Sequence, residues 1–195
     1  MTWTLLVLDE GRQDRKRLRV KLALAVVAAG ALAIGIATVA VAGGGKSIRE
    51  QLTGYQEVPA LSTPGVGKFR ASINRGANEI RYQLTYGGLE SPATQSHIHF
   101  ENRTNSGAIV VFLCTNLGNG PAGTQACPAG GGTISGTIRP ADVGAGASAQ
   151  GLAAGEFNEL VRAIRAGATY VNVHTTGHPS GEIRAQLVDK HGDDD

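Results

Sequence analysis

Aromatic side chains are scarce in this chain, at 5% of its residues, and cysteine occurs only twice. With 28 glycines beside so few rings, the composition fits short strands and many tight turns better than a helical bundle. Several kinds of chemistry leave no trace. There is no phosphate-binding glycine loop, no dinucleotide fingerprint and no nucleophile elbow. No set of serine, histidine and aspartate stands in a recognisable context. Basic charge is missing where a nucleic-acid surface would need it. Six of the eighteen Lys and Arg residues lie in residues 1–42, and the other twelve face thirteen acids. The net charge of +2 therefore belongs to the N-terminal segment, and the body has no basic stripe. Nucleic acid is not an expected partner.

That N-terminal segment has its own logic. Arg12, Arg15, Lys16, Arg17, Arg19 and Lys21 form a cationic cluster. An uncharged run follows over residues 22–42 and ends Ala40-Val41-Ala42. Positive flank, apolar run and A-x-A together read as a secretory signal peptide, with cleavage expected after Ala42. The alternative is a retained membrane anchor, since about 20 apolar residues span a bilayer. The run is mostly alanine and valine, with Gly30, Gly35 and only three leucines, which is weak for an anchor. Either way the body is expected outside the cytoplasm, secreted, periplasmic or at the cell surface, because the positive flank stays inside. Membrane contact is expected only through residues 22–42. Residues 43–48 read as a linker, 49–188 as one domain and 189–195 as a polar tail.

In an exported chain, an even cysteine count reads as a disulfide. Cys114 and Cys127 would close a loop of twelve residues rich in Gly, Asn and Pro. A thiol metal site would call for C-x-x-C spacing, which is absent.

Along the body, apolar and polar residues alternate with period two. Phe69, Ala71 and Ile73 oppose Lys68, Arg70 and Ser72 over 67–74. Ile80, Tyr82, Leu84 and Tyr86 share a face over 79–86. The four-residue turn between these segments predicts an antiparallel hairpin. A short strand is expected within 49–58, and further strands around 97–99, over 133–139, 168–174 and 182–188. The fully apolar run 108–113 is expected as a central strand buried on both faces. Phe157, Leu160, Val161 and Ile164 recur at helical spacing, so one helix is expected over 156–166, capped by Gly167. About eight short strands and one short helix imply a mainly β fold, an immunoglobulin-like or Greek-key sandwich or barrel.

The histidines carry the most chemistry. Alternation places His97 and His99 on one strand face, and Tyr170, Asn172 and His174 on one face of another. His178 lies across a turn from His174. Two to four imidazoles meeting at a point suit copper or zinc. The commoner fate of such histidines is structural, hydrogen-bonded to one another, to Asn172, Tyr170 or Glu182, or to backbone. A two-metal copper–zinc centre needs more histidines than the five present. Glu57 and Glu182 are a thinner reading, as a carboxylate pair, with Glu182 equally able to meet Arg184 or Arg81.

Three ordered motifs then converge on one family. Residues 52–59, Leu-Thr-Gly-Tyr-Gln-Glu-Val-Pro, open the pattern and His97-Ile98-His99 sits in its middle. Residues 171–175, Val-Asn-Val-His-Thr, with Gly181-Glu182-Ile183-Arg184, close it. The chain resembles the CHRD domain, named after chordin, from about residue 51 to 187, and the Cys114–Cys127 insert is similar to that of bacterial exported members. The resemblance implies an immunoglobulin-like β-barrel outside the cell. It implies no defined activity, no catalytic residue and no certain cofactor. In animal proteins the domain belongs to inhibitors of signalling ligands; here it leaves the partner as an unspecified protein or cell-surface component. The expectation is a non-catalytic binding or structural role rather than an enzyme's. The alternative is a copper-binding or copper redox protein built on His97, His99, His174 and His178.

Overall fold

The structure, a computed structural model, describes residues 47–189. The expected signal or anchor, most of the linker, and the tail from residue 190 lie outside the described residues. Eight strands form: β1 Ser47–Thr53, β2 Val66–Asn74, β3 Glu79–Gly87, β4 Ala93–Phe100, β5 Ala108–Thr115, β6 Gly132–Ile138, β7 Thr169–Thr175 and β8 Ile183–Leu187. One helix, α1 Phe157–Arg165, precedes β7. Among the described residues no helix is long and apolar enough to cross a membrane.

The alternation seen in the sequence becomes the barrel wall. Phe69, Ala71 and Ile73 on β2, and Ile80, Tyr82, Leu84 and Tyr86 on β3, are all buried. Their partners along each strand point to solvent, as period two requires. The β2–β3 turn closes on Asn74, whose side chain accepts from the Ala77 N–H, and on Asn78 at φ 50°. Asparagine tolerates that left-handed conformation better than most residues. In α1, Phe157, Leu160, Val161 and Ile164 are buried, and Gly167 follows at φ 66°.

All strand pairs are antiparallel, in the order β5-β4-β7-β8-β1-β2-β3-β6. The mainly β barrel expectation holds. The sheet curls until its two end strands, β5 and β6, approach each other. Four side chains close that seam. Tyr82 donates its hydroxyl to the Leu113 carbonyl on β5. The Gln125 amide donates to Leu113 O at 3.1 Å and to Ser135 O on β6 at 3.3 Å. Cys114 of β5 is bonded to Cys127 of the loop that leads to β6.

Two expectations are corrected. The short strand expected within 49–58 is there but starts earlier, over Ser47–Thr53: the Gly54 carbonyl accepts from both Glu57 N and Leu61 N, so the chain turns out of the sheet there. Ser47 pairs with Ser72 and Ile48 is buried, so the strand begins inside the expected linker. The apolar run of β5 is an end strand, not a central one. Val110, Val111 and Leu113 are buried there, and the segment after β6 lies along the strand. Gly144 N donates to Val110 O at 2.8 Å, and Gly146 lies too near Ile109 O to admit a Cβ.

A disulfide that closes a loop of this length stabilises by about 3 kcal/mol in the chain-entropy model. Cys114→Ser and Cys127→Ser should each lose about 2–4 kcal/mol in urea unfolding. The loss should be local in character: amide exchange should rise first along β5 and β6, and least in the β2–β3 hairpin. An unchanged unfolding midpoint would contradict this account of the seam.

Candidate metal centre

The register of β4 on β7 builds the cluster. Gln95 lies opposite His174, His97 opposite Asn172, and His99 opposite Tyr170. Opposed residues share a face, so both histidine motifs present the same side of the sheet. His97 and His174 are then diagonal neighbours. Their rings sit 5.0 Å apart, with His97–His99 at 5.4 Å and His99–His174 at 5.9 Å. One ring nitrogen from each lies within 4.8 Å of the other two. His97 Nδ1 and His174 Nε2 are 3.2 Å apart. Two nitrogens bound to one zinc at about 2.0–2.1 Å would stand at about that separation.

Backbone carbonyls set the tautomers. His99 Nδ1 is 2.9 Å from Gly107 O, and His174 Nδ1 is 2.9 Å from Pro179 O. A carbonyl can only accept, so each Nδ1 carries the proton and each Nε2 keeps its lone pair. Without an ion the His97 Nδ1–H then donates to His174 Nε2; for this pair to share an ion, His97 must carry its proton on Nε2 and offer Nδ1. The Nε2 atoms of His97 and His99 are buried without a hydrogen-bond partner, as is Oδ1 of Asn172 among them. Histidine ligands usually donate their second N–H to a carbonyl or carboxylate, and His99 and His174 do so already.

The cluster is dry. His97 is 0% exposed, and His99 and His174 are 6%. Burial, and the charge that protonated neighbours would add, push His97 down to about 2. Burial first, with smaller contributions from the neighbouring His174 and Arg184 charges, brings His99 to about 4 against the raising effects of its bonds to the Gly107 carbonyl and the Asn172 side chain. Burial also lowers His174. All three are therefore neutral at pH 7, the form that binds metal.

Around the cluster runs a further layer, in which the sequence placed Tyr170 on the histidine face but not Arg184 or the β4–β5 loop behind it. Tyr170 stacks on His99 with centroids 4.6 Å apart and planes 2° from parallel. The Arg184 guanidinium lies over the other side of Tyr170, 3.4 Å from its centroid. Arg184 is 1% exposed and donates to Asn105 O at 3.0 Å and Asn102 O at 2.9 Å, both in the β4–β5 loop. That loop delivers Gly107, whose N–H donates to the Tyr170 hydroxyl and whose carbonyl holds His99. Only glycine fits there, because a Cβ would run into Phe100 O and Glu101 Cβ. Phe112 meets His97 edge-on at 4.4 Å. Arg184 was visible in the Gly-Glu-Ile-Arg motif, but the carbonyls of Gly107 and Pro179 had no residue-type signal to find.

The remaining candidates lie elsewhere. His178 sits outside the three-histidine group, with Nε2 2.8 Å from Glu90. Glu57 and Glu182 do not form a pair. Glu182 accepts from Thr63, Thr175 and the Glu90 N–H, so it ties β8 to β7 and to two loops. It meets neither Arg184 nor Arg81, which pairs with Glu79. Glu57 is buried against Gly181, and burial raises it to about 7 against the lowering charge of Arg184.

The barrel, the histidine face and the closing Arg184 motif all lie within the span of one family model, the CHRD domain, which matches residues 48–187. The chain belongs to the CHRD domain family. No curated protein and no solved structure matches it. In this CHRD domain the middle and closing sequence motifs are adjacent in space. His97-Ile98-His99 and Val171-Asn172-Val173-His174 supply the cluster, and Gly181-Glu182-Ile183-Arg184 holds the loop behind it.

Proposed function

We propose that this CHRD domain is a non-catalytic metal-binding module that works outside the cytoplasm. One observation carries the reading: three neutral, buried imidazoles converge, and two of their Nε2 atoms have no hydrogen-bond partner. Such lone pairs are a standing energetic cost of about 1–3 kcal/mol each unless something accepts them. A bound ion would take the His99 lone pair without rearranging the carbonyls that orient His99 and His174. Burial favours holding the ion over turning over a substrate, which would have little access to it. The Cys114–Cys127 disulfide, the cationic flank and the Ala40-Val41-Ala42 site support an extracytoplasmic setting.

The test is metal titration of exported, chelator-stripped protein by calorimetry and mass spectrometry. One ion per chain is expected. His97→Ala, His99→Ala and His174→Ala should each weaken binding by at least 100-fold, whereas His178→Ala should leave it unchanged. If the parent binds no ion, or binding survives all three substitutions, the histidines are a hydrogen-bonded structural cluster.

A further inference from the structure

Resting on the metal-centre reading, we infer that the centre selects a singly charged soft cation, Cu(I), over Zn(II) and Cu(II). Ligand type alone does not make that choice, because imidazole suits both copper and zinc. Charge and coordination number make it.

The donor group is neutral throughout: three histidines, with no carboxylate or thiolate among them. Taking an ion out of water costs in proportion to the square of its charge, so a dication costs about four times as much as a monocation of equal size. Structural zinc sites commonly offset this with thiolates. Here the acids are placed elsewhere. Glu182 is engaged by Thr63, Thr175 and Glu90 N. Glu101 accepts from the Asn102 N–H, and Glu57 lies against Gly181 and faces Arg184. The nearest fixed charge in the layered stack is positive, since Arg184 covers the ring that stacks on His99, and the acids Glu57 and Glu101 act on that guanidinium rather than on the imidazoles. Each additional positive charge on the ion is repelled by that guanidinium through a poorly screening interior.

Coordination points the same way. Zinc is almost always four-coordinate in proteins, and a three-histidine site must add water or a further ligand. Phe112 packs edge-on against His97, and the cluster is almost fully buried. Three-coordinate Cu(I) needs no fourth ligand. Asn172 is the position that exposes this logic. It lies on the same face between the imidazoles, its side chain interacting with His99, and Asn172→Asp adds one negative charge with almost no change of shape.

The experiment compares affinities in the full exported protein. Cu(I) is titrated anaerobically with ascorbate against bicinchoninate, and Zn(II) against a fluorescent chelator. Circular dichroism confirms the fold of each variant. The parent is expected to bind Cu(I) at least 100-fold more tightly than Zn(II). Asn172→Asp is expected to tighten Zn(II) by at least tenfold and to move Cu(I) less. Zn(II) binding as tight as Cu(I) in the parent would overturn the selection and leave the metal centre standing. Cu(I) preference unaltered by Asn172→Asp would overturn its electrostatic basis. Failure to bind either ion would overturn the centre and the inference together.

Discussion

Replacing Arg184 with methionine is expected to destabilise the domain by about 3–5 kcal/mol, read as a lower midpoint in urea unfolding. The side chain is among the largest fully buried ones, and its guanidinium spans two loop carbonyls, Asn102 O and Asn105 O. Methionine keeps much of the volume but leaves both carbonyls without their donor. It also removes the cation above Tyr170, which in a desolvated setting is worth about 2 kcal/mol. Arg184→Lys is expected to recover little of the loss, because an ammonium is a compact point charge and cannot reproduce the planar fork. The effect should reach the histidines as well: with the loop released, Gly107 O no longer holds the His99 tautomer. If Arg184→Lys unfolds at the parent's midpoint, the clasp has been misread.

The second large effect is loss of stability in acid. An unfolded histidine titrates near 6.5, whereas folding lowers His97 to about 2, His99 to about 4, and His174 by a further unassigned amount. Below pH 6.5 the unfolded chain takes up protons that the folded cluster refuses. Stability should therefore fall as pH drops, by about 1.4 kcal/mol per pH unit for each histidine. Glu57 works in the opposite direction. Its folded value is raised to about 7, so its contribution is complete below 4.5 and is lost as pH rises through 7. One carboxyl does not offset three imidazoles, and the net slope between pH 6.5 and 4.5 remains a loss in acid. Chelator-treated protein unfolded at a series of pH values should show that slope, and His99→Gln should make it shallower by one histidine's share. A midpoint that is flat from pH 7 to 4.5 would mean the imidazoles are not buried as neutral groups.

How much of this was readable beforehand depends on the range of the interaction. Side-chain alternation is local, so the shared face of His97 and His99, and that of Tyr170, Asn172 and His174, could be read directly from spacing. The pairing of β4 with β7 joins residues 77 positions apart, and nothing in the spacing states it. The family motifs supplied the hint that the stretches belong together, and the register made the contact. The run over residues 108–113 misled for a related reason. Its composition reports burial on both faces, yet what lies along its outer edge is an irregular segment around Gly144 and Gly146, not a second neighbouring strand. Arg184 was hidden differently again. A charged residue in a short motif reads as a surface ion pair, but its partners are backbone carbonyls, which every residue carries alike.

The covered edge of β5 governs how another chain can approach. An exposed strand edge is a template onto which a foreign strand can zip, either as a recognition mode or as the first step of aggregation. Here Gly144 already occupies the Val110 carbonyl, Tyr82 and Gln125 occupy that of Leu113, and Gln125 also occupies Ser135 across the gap. Where those carbonyls are filled, the ladder cannot be lengthened by a visitor. Recognition at this seam thus falls to side chains and loops, and copies of the domain can crowd together there without polymerising edge to edge.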